Sequence, residues 1–112
     1  MPKGKKMRRL MMGPMSDLRS RLFMALASDQ RLRILLFLKD GPKNSQQIIN
    51  EIGLDPSVIS RHLMLLRNVG LVSAYKEGVL MFFKVDDERV FQMIDLATEI
   101  TKDWLKKIQS QL

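Results

Sequence analysis

The 112-residue chain has no cysteine, and it has only one histidine, one tryptophan and one tyrosine. Without thiols there is no disulfide, no thiolate metal site and no cysteine redox switch. A lone histidine, His62, makes a poor metal site, so no metal and no other cofactor is expected. No glycine-rich phosphate loop is present, and no serine lies beside a credible general base, so catalysis is not expected. No run approaches the roughly 20 apolar residues that span a bilayer, and the N-terminus lacks the roughly 7 to 15 residue apolar core of a secretory signal. The expectation is a cytoplasmic chain with no membrane partner.

Acidic residues are also missing from the first 15 positions, where Lys3, Lys5, Lys6, Arg8 and Arg9 contribute +5. The whole chain carries +7, which leaves +2 for everything after. Most of the basicity therefore sits on an arm, residues 1–15. Such an arm is suited to lie along phosphates or enter a minor groove, the alternative being a solubilising tail. Met7, Leu10, Met11, Met12 and Met15 add an apolar side that could pack on a C-terminal helix of a second subunit. Gly13-Pro14 argues against one uninterrupted helix there.

What is present is a dense series of turn signals between Phe23 and Val85. Ser28-Asp29 are N-cap residue types ahead of Leu32, Ile34, Leu35, Leu36 and Leu38, and Lys39-Asp40-Gly41-Pro42 stops that helix. Asn44-Ser45 caps a short helix from Gln46 to Ile52, with Ile48, Ile49 and Ile52 as its apolar residues, and Gly53 ends it. Asp55-Pro56 opens the next helix, since a proline at the first helical position loses no needed N–H. This helix runs to Asn68 with Ile59, Leu63 and Leu66 on its core stripe and Ser57, Ser60, Arg61 and Met64 opposite. After Gly70 the period changes. Leu71 to Lys76 and Val79 to Val85 read as strands, with Glu77-Gly78 as the hairpin turn. Helix, helix, short helix, helix, hairpin is the order of a winged helix-turn-helix: mainly α with a small β-hairpin, spanning residues 16–85.

A final segment, residues 86–112, starts at Asp86-Asp87-Glu88 with favourable charge at a helix N-terminus and extends to about Gln111. A helix of that length outruns one face of so small a domain. Val90, Met93, Ala97, Ile100, Trp104 and Ile108 recur at three or four residues, and Phe91, Ile94 and Leu105 widen the stripe past what one neighbour buries. Phe91 and Ile94 are expected to complete the protomer core in the first two turns only. The remainder calls for a second copy.

The strings "ALASDQRLRILLFL", "VISRHLMLLRNVGLV" and "KEGVLMFFKV" resemble the ArsR-type family of winged helix-turn-helix transcription regulators over roughly residues 16 to 112. Ser60-Arg61-His62-Leu63, with Leu66 and Gly70-Leu71-Val72, carries the most specific part. The resemblance implies a homodimer whose interface joins the first and last helices, here Leu18 and Leu22 with Val90, Met93, Ala97, Ile100, Trp104 and Ile108. It also implies a repressor on a palindromic double-stranded operator, because a two-fold dimer presents two reading helices. Candidate DNA contacts are Ser57, Ser60, Arg61, His62 and Met64 on the reading helix and Ser45 and Gln46 at a helix N-terminus. Lys76 on the wing and the five basic residues of the arm complete the set. Arg61 suits a guanine edge or a phosphate. His62 is expected to bond a neighbouring backbone group or a DNA phosphate.

The sequence departs from the family pattern in three places. Family metal sensors carry cysteines on the first helix of the motif, or histidines with carboxylates on the last. Gln46 to Asn50 offers none. Asp95, Glu99 and Asp103 align on the last helix, but Lys102, Lys106 and Lys107 lie three or four residues away, so local ion pairs are expected in place of a cation. The wing tip, with Lys76 against Glu77 followed by Val79 and Leu80, lacks the family's basic residues, and Met64 stands where a basic residue is frequent. That weak wing keeps an alternative open, a winged-helix interaction module or a non-specific DNA-coating chromatin protein. No small-molecule effector is legible.

Overall fold

The computed structural model describes residues 17–112, so the arm, with Lys3, Lys5, Lys6, Arg8 and Arg9, lies outside the described residues. Five helices and three strands follow one another. They are α1 (Leu18–Leu26), α2 (Asp29–Phe37), β1 (Lys43–Asn44), α3 (Ser45–Ile52), α4 (Pro56–Asn68), β2 (Ser73–Glu77), β3 (Leu80–Lys84) and α5 (Arg89–Ser110), with a 3-10 turn at Leu38–Asp40. The fold is that expected, a mainly helical winged helix-turn-helix with a long last helix.

Each start has a local cause. Asp17 accepts from the Arg19 N–H at 2.9 Å, and Ser28 accepts from the Arg31 N–H at 3.3 Å. Asn44 and Gln47 form a reciprocal capping box at 2.9 and 2.8 Å, which fixes the first turn of α3. Gly53, at φ 76°, ends α3 in the left-handed region where a side chain would be strained. At the end of α4 the Leu71 N–H reaches Leu66 O and the Gly70 N–H reaches Arg67 O, both at 3.0 Å. This closing motif turns the chain directly into the sheet.

The sheet is antiparallel in the order β1-β3-β2, with Lys43 opposite Phe83 and Tyr75 opposite Phe82. Strand β1 was not expected, because two residues are too short to show a period. The hairpin turn falls at Gly78-Val79, one residue later than Glu77-Gly78, with Glu77 paired to Leu80. Gly78 has φ 63°, and no non-glycine residue among those described has positive φ. Glycine must then take the first central position of a type II′ turn.

Ile34, Leu35, Ile48, Ile59 and Leu66 are fully enclosed at the centre of the three-helix core, and each contributes about 1.5–3 kcal/mol by leaving water. Val90, Phe91 and Ile94 join the core from the first turns of α5. Val90, at 5% exposed, is thus a correction to the expected interface set: the first turn of α5 lies on the protomer and spends this side chain there. A second correction concerns the acids of α5. Among the described residues, the ion pairs are Arg19–Asp17, Lys84–Asp86 and Arg89–Asp87, so Asp95, Glu99 and Asp103 make none with the neighbouring lysines. For fully exposed long side chains, the small Coulomb gain in water does not offset the entropy of holding one rotamer.

Candidate nucleic-acid interface

The helix-turn-helix is α3, Gly53-Leu54-Asp55 and α4. Pro56 starts α4, and the Ser57 N–H and hydroxyl both donate to Asp55 Oδ1, at 2.9 and 2.7 Å. The Ser57 hydroxyl, then the Ser57 N–H and the charge of Arg61, hold the Asp55 carboxyl below its ordinary 3.8. Ser57 is therefore occupied with the cap. Ser60, Arg61 and Met64 are exposed on the next turns, away from the buried stripe of Ile59, Leu63 and Leu66. Arg61 makes no hydrogen bond or ion pair among the described residues, which leaves all five of its N–H donors available to an anion or a base edge.

A shallow groove of about 180 Å³ runs between the start of α3, α4 and β3. Ser45, Ser60, Met64 and Arg67 stand around it, with Ile59, Leu63 and Phe83 beneath. The structure thus brings Ser45, Ser60 and Met64 together. Arg67 was missed, although it lies three residues after Met64 and seven after Ser60 and so shares their helical face. Gln46 is turned aside, since its Nε2 donates to Asn50 Oδ1 at 2.9 Å.

His62 is placed differently from expectation. Its Nδ1 lies 3.2 Å from Nη1 of Arg31, so its observed partner is a guanidinium on α2 in place of a backbone group. Burial, then the charges of Arg31 and Arg61, hold the imidazole below its ordinary 6.5. Among the described residues no three His, Asp or Glu side chains gather as a metal site.

The wing carries little charge at its tip. Val79 is 97% exposed and Leu80 half-exposed, while Lys76 projects from β2 beside Glu77. Tyr75 stacks on Phe82 with ring centroids 5.5 Å apart, and Lys84 Nζ lies 5.7 Å from the Tyr75 ring and 3.2 Å from Asp86 Oδ1. The Ser73 hydroxyl donates to the other oxygen of Asp86 at 2.7 Å, which ties the base of the hairpin.

A different surface lies across the molecule. Phe23 and Leu26 of α1, with Ala27 just after it, face Met93, Ala97 and Thr101 of α5 across an apolar groove of about 370 Å³. Beyond it Leu96, Ile100, Trp104 and Leu105 are at least half exposed. Leu18 is 52% exposed, whereas Leu22 is partly buried against the core.

Residues 28–74 match the sequence profile of the family described as bacterial regulatory protein, arsR family. A probable mercury resistance operon repressor from Streptomyces lividans is 33% identical over 87 residues, covering 78% of this chain and 70% of the relative. The chain belongs to the arsR family. It is accordingly a DNA-binding transcription regulator and not an enzyme. Solved structures of this arsR-family fold include Rv0081 of Mycobacterium tuberculosis. That crystal structure has a TM-score of 0.76 and 25% identity, over 84% of this chain and 95% of its own. The solution structure of a homodimeric winged helix-turn-helix DNA-binding domain, fragment 1–100 of Mb0332 from Mycobacterium bovis, gives a TM-score of 0.73. It is 28% identical over 81% of this chain and 84% of that one. No described helix is long and apolar enough to cross a membrane.

Proposed function

We propose that this chain is a homodimeric, sequence-specific repressor, cytoplasmic, reading a palindromic double-stranded operator with α4. The observation that carries the reading is the exposed face of α4. Ser60, Arg61, Met64 and Arg67 form one continuous stripe of donors and one apolar contact, and Arg61 makes no hydrogen bond or ion pair among the described residues. A helix face of that make-up suits the major groove, where Arg61 would take a guanine edge and Met64 a thymine methyl. Ser45 at the start of α3 supplies a hydroxyl and N–H groups toward a backbone phosphate. With the wing tip apolar, residues 1–15 are assigned the phosphate contacts that basic wings make.

The dimer reading is supported by the α5 stripe and by the homodimeric Mb0332 domain. Residues 86–112 would then serve chiefly to pair two copies, with Met93, Ala97, Ile100, Trp104 and Ile108 joined by Leu18. Repression follows the named role of the Streptomyces lividans relative. Release is not thiol-controlled, because the 112 residues hold no cysteine.

The test is a salt titration of binding to a duplex selected from a randomised library, against a scrambled duplex of equal length, with stoichiometry measured in the same samples. Two chains per site and a preference of about a thousandfold or more are expected. Equal affinities that collapse together as salt rises would instead support a DNA-coating protein. The exposed Val79-Leu80 tip favours a third outcome, in which neither duplex is held and the domain is a protein-interaction module.

A further inference from the structure

We infer that Arg31 is a positioning residue for DNA reading, fixing α4 to the end of α1 through His62. This rests on the reading that α4 is the helix that meets DNA. The side chain is partly buried and spends its donors on three groups from two other helices. Nε donates to Ala25 O at 2.6 Å, Nη2 donates to Met24 O at 3.2 Å, and Nη1 lies 3.2 Å from His62 Nδ1.

The chemistry of each contact is fixed. Ala25 O and Met24 O, the latter also accepting from the Ala27 N–H at 3.1 Å, lie in the last turn of α1 at the negative end of the helix dipole, so a guanidinium there is favourable. A guanidinium is donor-only, hence His62 Nδ1 must accept, and the ring must be neutral with its proton on Nε2. The planar fork reaches three acceptors at once. A lysine, with a single ammonium, does not.

Arg33 provides an internal comparison on the same helix. It reaches Ile52 O and Glu51 O at 3.5 and 3.3 Å, so it too closes a helix end, that of α3. Among the described residues it makes no hydrogen bond to α4. Arg31 alone of the two runs on to the reading helix. The end of α1 that it holds also carries Phe23 and Leu26, which with the following Ala27 line the apolar groove against α5. The tilt of α4 is therefore referred to the helix pair assigned to the dimer face, where the spacing of two reading helices is set.

The first readout is the imidazole nitrogen-15 spectrum of the full chain without DNA, in which His62 is expected neutral with the proton on Nε2. The second is the ratio of affinities for the selected and the scrambled duplex. Arg31→Ala and Arg31→Lys are expected to lower it about tenfold. Arg33→Ala, which likewise removes one positive charge and the bonds that close a helix end, is expected to change it less than about twofold. The third is a mutant cycle. Arg31→Ala should cost as much in a His62→Asn background, whose Oδ1 replaces Nδ1 as an acceptor, as in the wild type, and little in a His62→Leu background.

Protonation on Nδ1, full rescue by Arg31→Lys, or an equal Arg31→Ala cost in the Leu background would each overturn the inference. The spectrum needs no variant, so an Arg31→Ala chain that does not fold leaves it decisive. A wild-type chain that does not prefer the selected duplex defeats the α4 reading, while the spectrum still judges the clamp separately.

Discussion

The two exposed faces of this domain are built from one core and differ in what they leave open. On α4 one exposed stripe is Ser60, Arg61, Met64 and Arg67, so donors and charge face solvent there with one methionine among them, Leu65 being exposed beside it. On α5 the corresponding residues include Leu96, Ile100, Trp104 and Leu105, and Trp104 is 63% exposed. Scattered apolar residues are ordinary on a surface, but a contiguous stripe along three helical turns is not. The first face suits a hydrated, charged partner and the second an apolar one. On the function proposed above, the difference separates what the chain reads from what it pairs with.

The strongest way to break the comparison is to place charge on the second face. Trp104→Glu or Ile100→Glu should weaken self-association by about 2–4 kcal/mol, as expected for a central aromatic or aliphatic anchor. Sedimentation of the variant should show single chains, and binding to the selected duplex should fall with it. A Trp104→Glu chain that stays paired would mean that the α5 stripe is not the pairing surface. Removing residues 1–12 should act on the other face alone. All duplexes should bind more weakly by a similar factor, and the salt slope should shrink by about 0.9 for each phosphate that the arm no longer neutralises. Loss of preference with the slope unchanged would contradict the arm's assignment to phosphates. Arg61→Ala is expected to cost about 1–3 kcal/mol on the selected duplex and to relax the sequence preference at one position per half-site.

These faces were unequally legible in the sequence. Both stripes follow from period, and the starts and stops at Ser28, Asn44, Gly53, Asp55-Pro56 and Gly70 follow from cap and turn residue types, because caps and turns depend on residues only a few positions apart. Arg67 was within reach of the same rule. Three features were not. Strand β1 exists only because β3 is there to pair with it. Val90 sits on the α5 stripe by spacing, yet which turns of a helix rest on their own domain depends on where the chain enters it. The Arg31–His62 contact joins residues 31 apart on two helices that each look complete alone. Such a contact leaves no periodic trace.

The smallest expected effect concerns that contact and pH. Burial, then Arg31 and Arg61, hold His62 neutral below its ordinary 6.5, and Arg21 of α1 lines the same groove as Arg31. Between the lowered folded value and about 6.5, the unfolded chain binds a proton that the folded chain does not, so stability falls as pH falls through that window. Above about 6.5 both states are neutral and the contribution is flat. The exposed carboxylates act elsewhere. Asp17, Asp55 and Asp86 lie below 3.8 and Asp87 at about 2, so what they contribute is present above 3.8 and is lost as pH falls through their folded values. Thermal midpoints taken from about pH 5 to 7.5 should therefore slope downward toward acid in the wild type and less so in His62→Asn, which has nothing to protonate there. Parallel slopes for the two chains would assign the acid sensitivity to another group. A difference confined to this window would tie it to the ring that links α2 to α4.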